Sequence, residues 1–76
     1  MMSHELVEIL KRMYREGKAR GEAVVMMHLF AIKYADQIRS CGETPHKIAE
    51  RATNHYKYGT EINKGINLAR YVRPIE

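Results

Sequence analysis

The chain has 76 residues, 45% of them hydrophobic, with 13 Lys/Arg against 9 Asp/Glu and a formal charge of +4. That length supports one domain, residues 1–76, which buries only about 60% of its unfolded surface, and the apolar fraction excludes a disordered chain. A single cysteine, Cys41, excludes an internal disulfide framework and points to a reducing, cytoplasmic setting.

No run of alternating β-branched residues reads as a strand, so the expected class is all-α, with four helices. The N-terminus has acids at Glu5 and Glu8, no basic leader and no long apolar stretch, and is not a signal peptide. The first helix is predicted over His4 to Glu16 with Ser3 as N-cap. Leu6, Ile9, Leu10, Met13 and Tyr14 share one helical face. Glu5 and Glu8 suit its start, and Lys11, Arg12 and Arg15 its end. Gly17 to Gly21 is the expected linker.

The second helix is predicted from Glu22 to Ser40. Its first half, Val24 to Ile32, is apolar nearly all round apart from His28, which predicts a central helix covered by the others. That run falls far short of the ~20 residues of a membrane span, and no membrane partner is expected. Gly42 is placed to end the helix. A short third helix follows Thr44 as N-cap and Pro45 as first residue, with Ile48, Ala49 and Ala52 on a narrow face. Asn54 to Gly59 reads as a turn. The last helix is predicted from Thr60, as its cap, to a stop at Pro74, with Ile62, Ile66 and Ala69 facing inward.

The last helix contains Asn63, Gly65 and Asn67, and Gly alone costs ~1 kcal/mol relative to Ala. Two features account for that composition. Helices that cross steeply after a short turn need small residues at the contact, and Ala49, Ala52 and Gly65 meet that need; Gly65 predicts close backbone approach to the preceding helix or to a ligand. The outer stripe, Thr60, Asn63, Lys64, Asn67, Arg70 and Tyr71, carries amides and cations rather than strong helix formers. Asn pairs with the major-groove edge of adenine, and Arg or Lys with guanine or phosphate. Residues 44–76 hold six Lys/Arg and three acids (+3), against seven and six (+1) in residues 1–43, a bias that fits a polyanion. Thr60, Asn63, Lys64 and Asn67 are therefore the expected base contacts. His46, Lys47, Lys57, Tyr58, Arg70 and Arg73 are the expected phosphate contacts.

The segment from Thr44 to Ile66, "TPHKIAERATNHYKYGTEINKGI", resembles helix-turn-helix DNA-binding domains. "KIAERA" looks like the first helix of that motif, and Ile62 follows Ile48 by the 14 residues that separate its cross-packing apolar positions. Thr53 stands where the motif usually has Gly, and Gly59 where it has a buried apolar residue, which predicts a longer turn and a late last helix. Most of the chain is similar to short prokaryotic proteins described as HTH-like. The resemblance implies that the helix from Thr60 is a recognition helix with Asn63, Lys64 and Asn67 toward the groove. Double-stranded DNA is then the expected partner, bound by a homodimer acting as a transcriptional regulator or DNA-targeting module, with the first helix at the dimer surface.

The alternative is a helical adaptor or homodimerisation module without nucleic-acid binding, in which Met13, Met26 and Met27 line a partly exposed groove. No metal is expected: His4, His28, His46, His55 and Cys41 lack i, i+3 or i, i+4 spacing. No cofactor, small-molecule substrate or catalytic residue is expected either, since no phosphate-cradling loop or nucleophile–base pairing is legible. Tyr56 reads as a core-completing tyrosine, while Tyr58 is a candidate for stacking or phosphate contact.

Overall fold

The computed structural model describes residues 1–75. Its helices are α1 (Ser3–Ala19), α2 (Ala23–Lys33), α3 (Ala35–Ser40), α4 (Pro45–Thr53) and α5 (Tyr58–Leu68), five rather than the four predicted. No strand occurs among the described residues, so the all-α class holds. None of these helices is long and apolar enough to cross a membrane.

The fifth helix arises because the predicted second helix breaks at Tyr34, whose backbone (φ −114°, ψ 23°) leaves the helical region. The break costs little hydrogen bonding: Tyr34 N–H still donates to the Phe30 carbonyl, and its own carbonyl accepts from Ile38, both at 2.9 Å. The redirected α3 brings Ile38 into the core and lets Arg39 donate to the Ile66 carbonyl at 3.4 Å. Nothing in the local pattern marks this break, because Tyr is tolerated inside helices.

α1 packs on α2 and α4, and α5 packs on α2 and α4, closing the α4–α5 pair onto the first half of the chain as predicted. Leu6, Leu10, Met27, Phe30, Ile38, Ile48 and Ile62, drawn from all five helices, are the large side chains with essentially no exposure. Met26 and Met27 are buried and Met13 packs half-buried against the core, so these three methionines fill the interior.

Two helix starts differ from the sequence reading. α1 is capped by Met2, whose N–H donates to the Glu5 carboxylate at 2.8 Å. Ser3 is already helical, and its hydroxyl instead accepts from Arg51 of α4 at 3.4 Å. α1 also runs past Glu16, through a buried Gly17, to Ala19. The start of α5 is the second case and bears on the candidate site.

α2 is not covered on all sides. Met26, Met27, Phe30 and Ala31 are buried, but Val24, Val25 and Leu29 are 43%, 48% and 36% exposed. The helices of so short a chain reach around α2 only on the sides that α1 and α5 occupy.

Candidate nucleic-acid interface

The unit formed by α4 and α5 starts as the sequence predicts. Thr44 Oγ1 accepts from Lys47 N–H at 3.1 Å, and Pro45 occupies the first turn, where its missing N–H leaves no bond unmade. Ile48 and Ala49 are buried and Ala52 lies half-buried against the core. α4 ends at Asn54, which takes the left-handed conformation (φ 65°), one that Asn tolerates better than most residues.

The turn is shorter than expected. Four residues, Asn54 to Lys57, separate α4 from α5, within the range of a standard helix-turn-helix. Thr53 contributes here in place of the motif's glycine. Its buried hydroxyl donates to the Ala49 carbonyl at 2.8 Å and accepts from His55 N–H at 3.1 Å, tying the end of α4 to the turn. The left-handed residue comes one position later, at Asn54.

α5 begins at Tyr58, two residues before the predicted cap at Thr60. The N–H groups of Tyr58, Gly59 and Thr60 are satisfied by the carbonyls of His55, Tyr56 and Lys57 at 3.2, 2.9 and 3.1 Å. A tight turn thus replaces a capping side chain. Released from capping, Thr60 is exposed, with its hydroxyl 3.5 Å from His46 Nε2.

Gly59 explains how the two helix starts meet. It is buried, and a Cβ there would collide with the ring and backbone of His46. The missing side chain allows α5 to begin directly against the first turn of α4. Gly65 serves the same purpose further along, with a different partner from the preceding helix. A Cβ on Gly65 would lie 2.9 Å from the His28 carbonyl and against Ala31, both on α2. This is why α5 accepts a glycine in its middle: it packs backbone-close on α2.

Thr60, Asn63, Lys64 and Asn67 are all exposed, on the side of α5 opposite Ile62, Gly65 and Ile66. Beside the stripe, His46 lies half-buried, and it lines a shallow depression with Thr44, Lys47, Glu50 and Tyr56. Lys47 is exposed and paired with Glu50 at 3.2 Å, and Lys57 is exposed at the helix start. Tyr56, expected in the core, is 57% exposed, its ring 6.4 Å from that of His46.

Tyr58 lies apart from the stripe, and Arg70 and Arg73 follow its end. Tyr58 is half-buried and turns to α1, its ring edge-on to Tyr14 at 5.6 Å. Burial, reinforced by Tyr14, pushes its hydroxyl above the ordinary 10.0. Arg70, Tyr71 and Arg73 lie beyond the end of α5 at Leu68, so the helical stripe stops at Asn67. Arg70 lies over the Tyr71 ring at 5.4 Å and borders a cleft with Lys33, Asp36 and Arg39, while Arg73 is exposed.

Glu61 was not singled out from the sequence. It flanks the stripe on the side facing α2, where its Oε1 lies 2.7 Å from His28 Nε2 and its Oε2 3.3 Å from Lys64 Nζ. The His28 bond, then the Lys64 bond, holds the carboxyl below its ordinary 4.5. An ionised carboxylate can only accept, so His28 Nε2 carries the proton. The 33 residues between the partners hide this pair from any local pattern.

A short helix ended by a left-handed Asn, a four-residue turn and a second helix with a polar outer face define a helix-turn-helix-like domain. The chain belongs to the HTH-like domain family, whose model matches residues 2–75. No curated protein and no solved structure matches it.

Proposed function

We propose that this protein binds duplex DNA, with α5 as the recognition helix, and acts as a transcriptional regulator or DNA-targeting module in the cytoplasm. The observation that carries the reading is the stripe Thr60, Asn63, Lys64 and Asn67, exposed together directly after a turn of standard length. Recognition helices of this kind place their N-terminal residues on base edges. Asn63 and Asn67 supply paired donors and acceptors for bases, and Lys64 a cation. His46, Lys47 and Lys57 cluster near the start of α5, while Arg70 and Arg73 lie beyond its other end, so phosphates along a groove would meet cations at both. The role is one of binding rather than catalysis.

Dimerisation belongs to the proposal, since one small module offers limited interface. The exposed residues of α1 include Glu5, Glu8, Arg12, Arg15 and Glu16, whereas α2 exposes Val24, Val25 and Leu29. The α2 face therefore suits self-association better than the α1 face first expected. The same apolar face favours the second reading, an adaptor that docks a partner helix.

The test is a salt titration of binding to a labelled mixed-sequence duplex. Affinity is expected to fall steeply and log-linearly with salt, as phosphate neutralisation requires. No binding at low salt overturns the DNA reading and leaves the adaptor.

A further inference from the structure

The carboxylate of Glu61 is shared by two cationic groups on two helices. One oxygen receives His28 from α2 at 2.7 Å, and the other receives Lys64 from the exposed stripe of α5 at 3.3 Å. His28 and Glu61 keep 34% and 24% side-chain exposure, against 61% for Lys64. The anchor is thus sheltered in the α2–α5 seam, and the cation it holds faces solvent. Gly65, packed on the His28 backbone, fixes the spacing of the two helices at this point.

We infer that His28 and Glu61 are positioning residues for Lys64, which set both where its ammonium lies and how much of its charge reaches an approaching phosphate. The inference rests on the DNA-binding reading and deepens it. When His28 is neutral, Glu61 is balanced by Lys64 alone, and the pair presents little net charge. When His28 is protonated, it balances Glu61, and the charge of Lys64 is uncompensated at the interface. Duplex affinity therefore rises when His28 takes up a proton.

Charged groups at the ends of α2 have partners of their own, Arg12 and Glu16 of α1 line a cleft beside Leu29, and Arg39 of α3 pairs with Asp36 at 3.0 Å. Arg20 pairs with Glu22 at 3.3 Å near the start of α2 and reaches Met26 Sδ, and Lys33 at its end lies over the Tyr34 ring. Lys57, in the turn before α5, lies four residues before Glu61 and is exposed. His46 and His55 are further imidazoles near the start of α5, so the effect of His28 is read as a difference between variants.

The experiment measures binding of a labelled mixed-sequence duplex of ~20 base pairs by fluorescence anisotropy at low salt, at about pH 6 and about pH 8. Wild type, His28→Gln, Glu61→Gln, Lys64→Ala and the His28→Gln/Lys64→Ala double variant are compared. The gain in affinity at the lower pH is expected to be about twofold to fivefold larger in wild type than in His28→Gln, the size of an exposed ion-pair effect. Glu61→Gln is expected to bind more tightly than wild type at pH 8 and to lose the same pH increment. In the Lys64→Ala background, the part of the His28→Gln effect that acts through Lys64 is expected to be lost, so the two substitutions are not additive.

A readout without DNA accompanies it: the NMR signal of the Lys64 ε-methylene should shift with the titration of His28 in wild type, and stay flat in His28→Gln. Equal pH responses in wild type and His28→Gln, or a Lys64 signal blind to His28, overturn the inference while leaving DNA binding intact. If the Lys64 signal follows His28 but no variant binds the duplex, the DNA reading falls, and the role inferred here falls with it.

Discussion

α2 and α5 lie side by side, each with one face in the core, yet their outer faces differ in kind. α2 turns Met26, Met27, Phe30 and Ala31 inward and leaves Val24, Val25 and Leu29 partly exposed. α5 turns Ile62, Gly65 and Ile66 inward and exposes Thr60, Asn63, Lys64 and Asn67. Neither outer face is what folding alone would select. A solvent face of Glu, Lys, Gln and Ala would stabilise α5 more, and one of charged residues would keep α2 more soluble. This small chain thus carries two outer faces of different chemistry, one apolar and one rich in amides.

The largest effect should separate the two faces of α5 itself. Gly65→Leu forces a side chain into the α2–α5 seam and is expected to destabilise the fold by about 3 kcal/mol in chemical denaturation. Asn67→Leu, two residues on and exposed, should stay within about 0.5 kcal/mol. Equal effects would mean that α5 does not pack on α2 through Gly65.

Next in size is recognition. Asn63→Ala or Asn67→Ala is expected to cost ~1–3 kcal/mol on the preferred duplex and to relax preference at one position, with stability nearly unchanged. Lys57→Ala should instead weaken binding to all sequences alike and lower the salt slope by about one. The contrast is best read by selecting sites from random duplexes with each variant.

Thr44→Ala removes the hydroxyl that caps α4 and should cost about 1 kcal/mol of stability by thermal melting. On α2, Val25→Ser with Leu29→Ser should change stability little, since both side chains are already partly solvated. If this face joins two copies, the pair should shift the protein from dimer to monomer in sedimentation. An unchanged dimer would move the interface elsewhere.

The smallest effect concerns Glu61 and pH. Its carboxyl is held below 4.5 in the folded protein by His28 and then Lys64, so the ionised form is favoured by folding. That contribution is fully present above the unfolded pKa and is lost as pH falls through the lower, folded one. The small melting difference between wild type and Glu61→Gln should accordingly vanish under acid, once pH falls through the folded pKa. A difference that persists at acid pH, below the folded pKa, would contradict the pairing.

Much of the architecture was legible in the residues. The inward positions Leu6, Leu10, Ile48, Ile62 and Ile66 follow helical spacing, and Thr44, Pro45 and Gly42 mark helix ends by the chemistry of their own side chains or backbones. The exposure of Thr60, Asn63, Lys64 and Asn67 follows from the same periodicity. These features depend on neighbours three or four residues away, which a linear pattern records. The break at Tyr34, the start of α5 at Tyr58 and the partner of Gly65 do not. Tyr34 is free to continue a helix and departs from one only where Ile38 and Arg39 find their places in the assembled core. Gly59 could be recognised as a departure from the motif, but its reason, contact with His46, exists only once α4 and α5 have met.

What the sequence by itself determined is which residues make helices and which faces are apolar, because propensity, capping and amphipathic period act within a turn or two. What only the tertiary structure decided is how those faces are shared out: that α5 lies backbone-close on α2, that one side of α2 stays uncovered, and that His28 and Glu61 meet. Those outcomes depend on contacts between residues tens of positions apart, where close packing of whole helices, rather than the preference of any one residue, selects the arrangement.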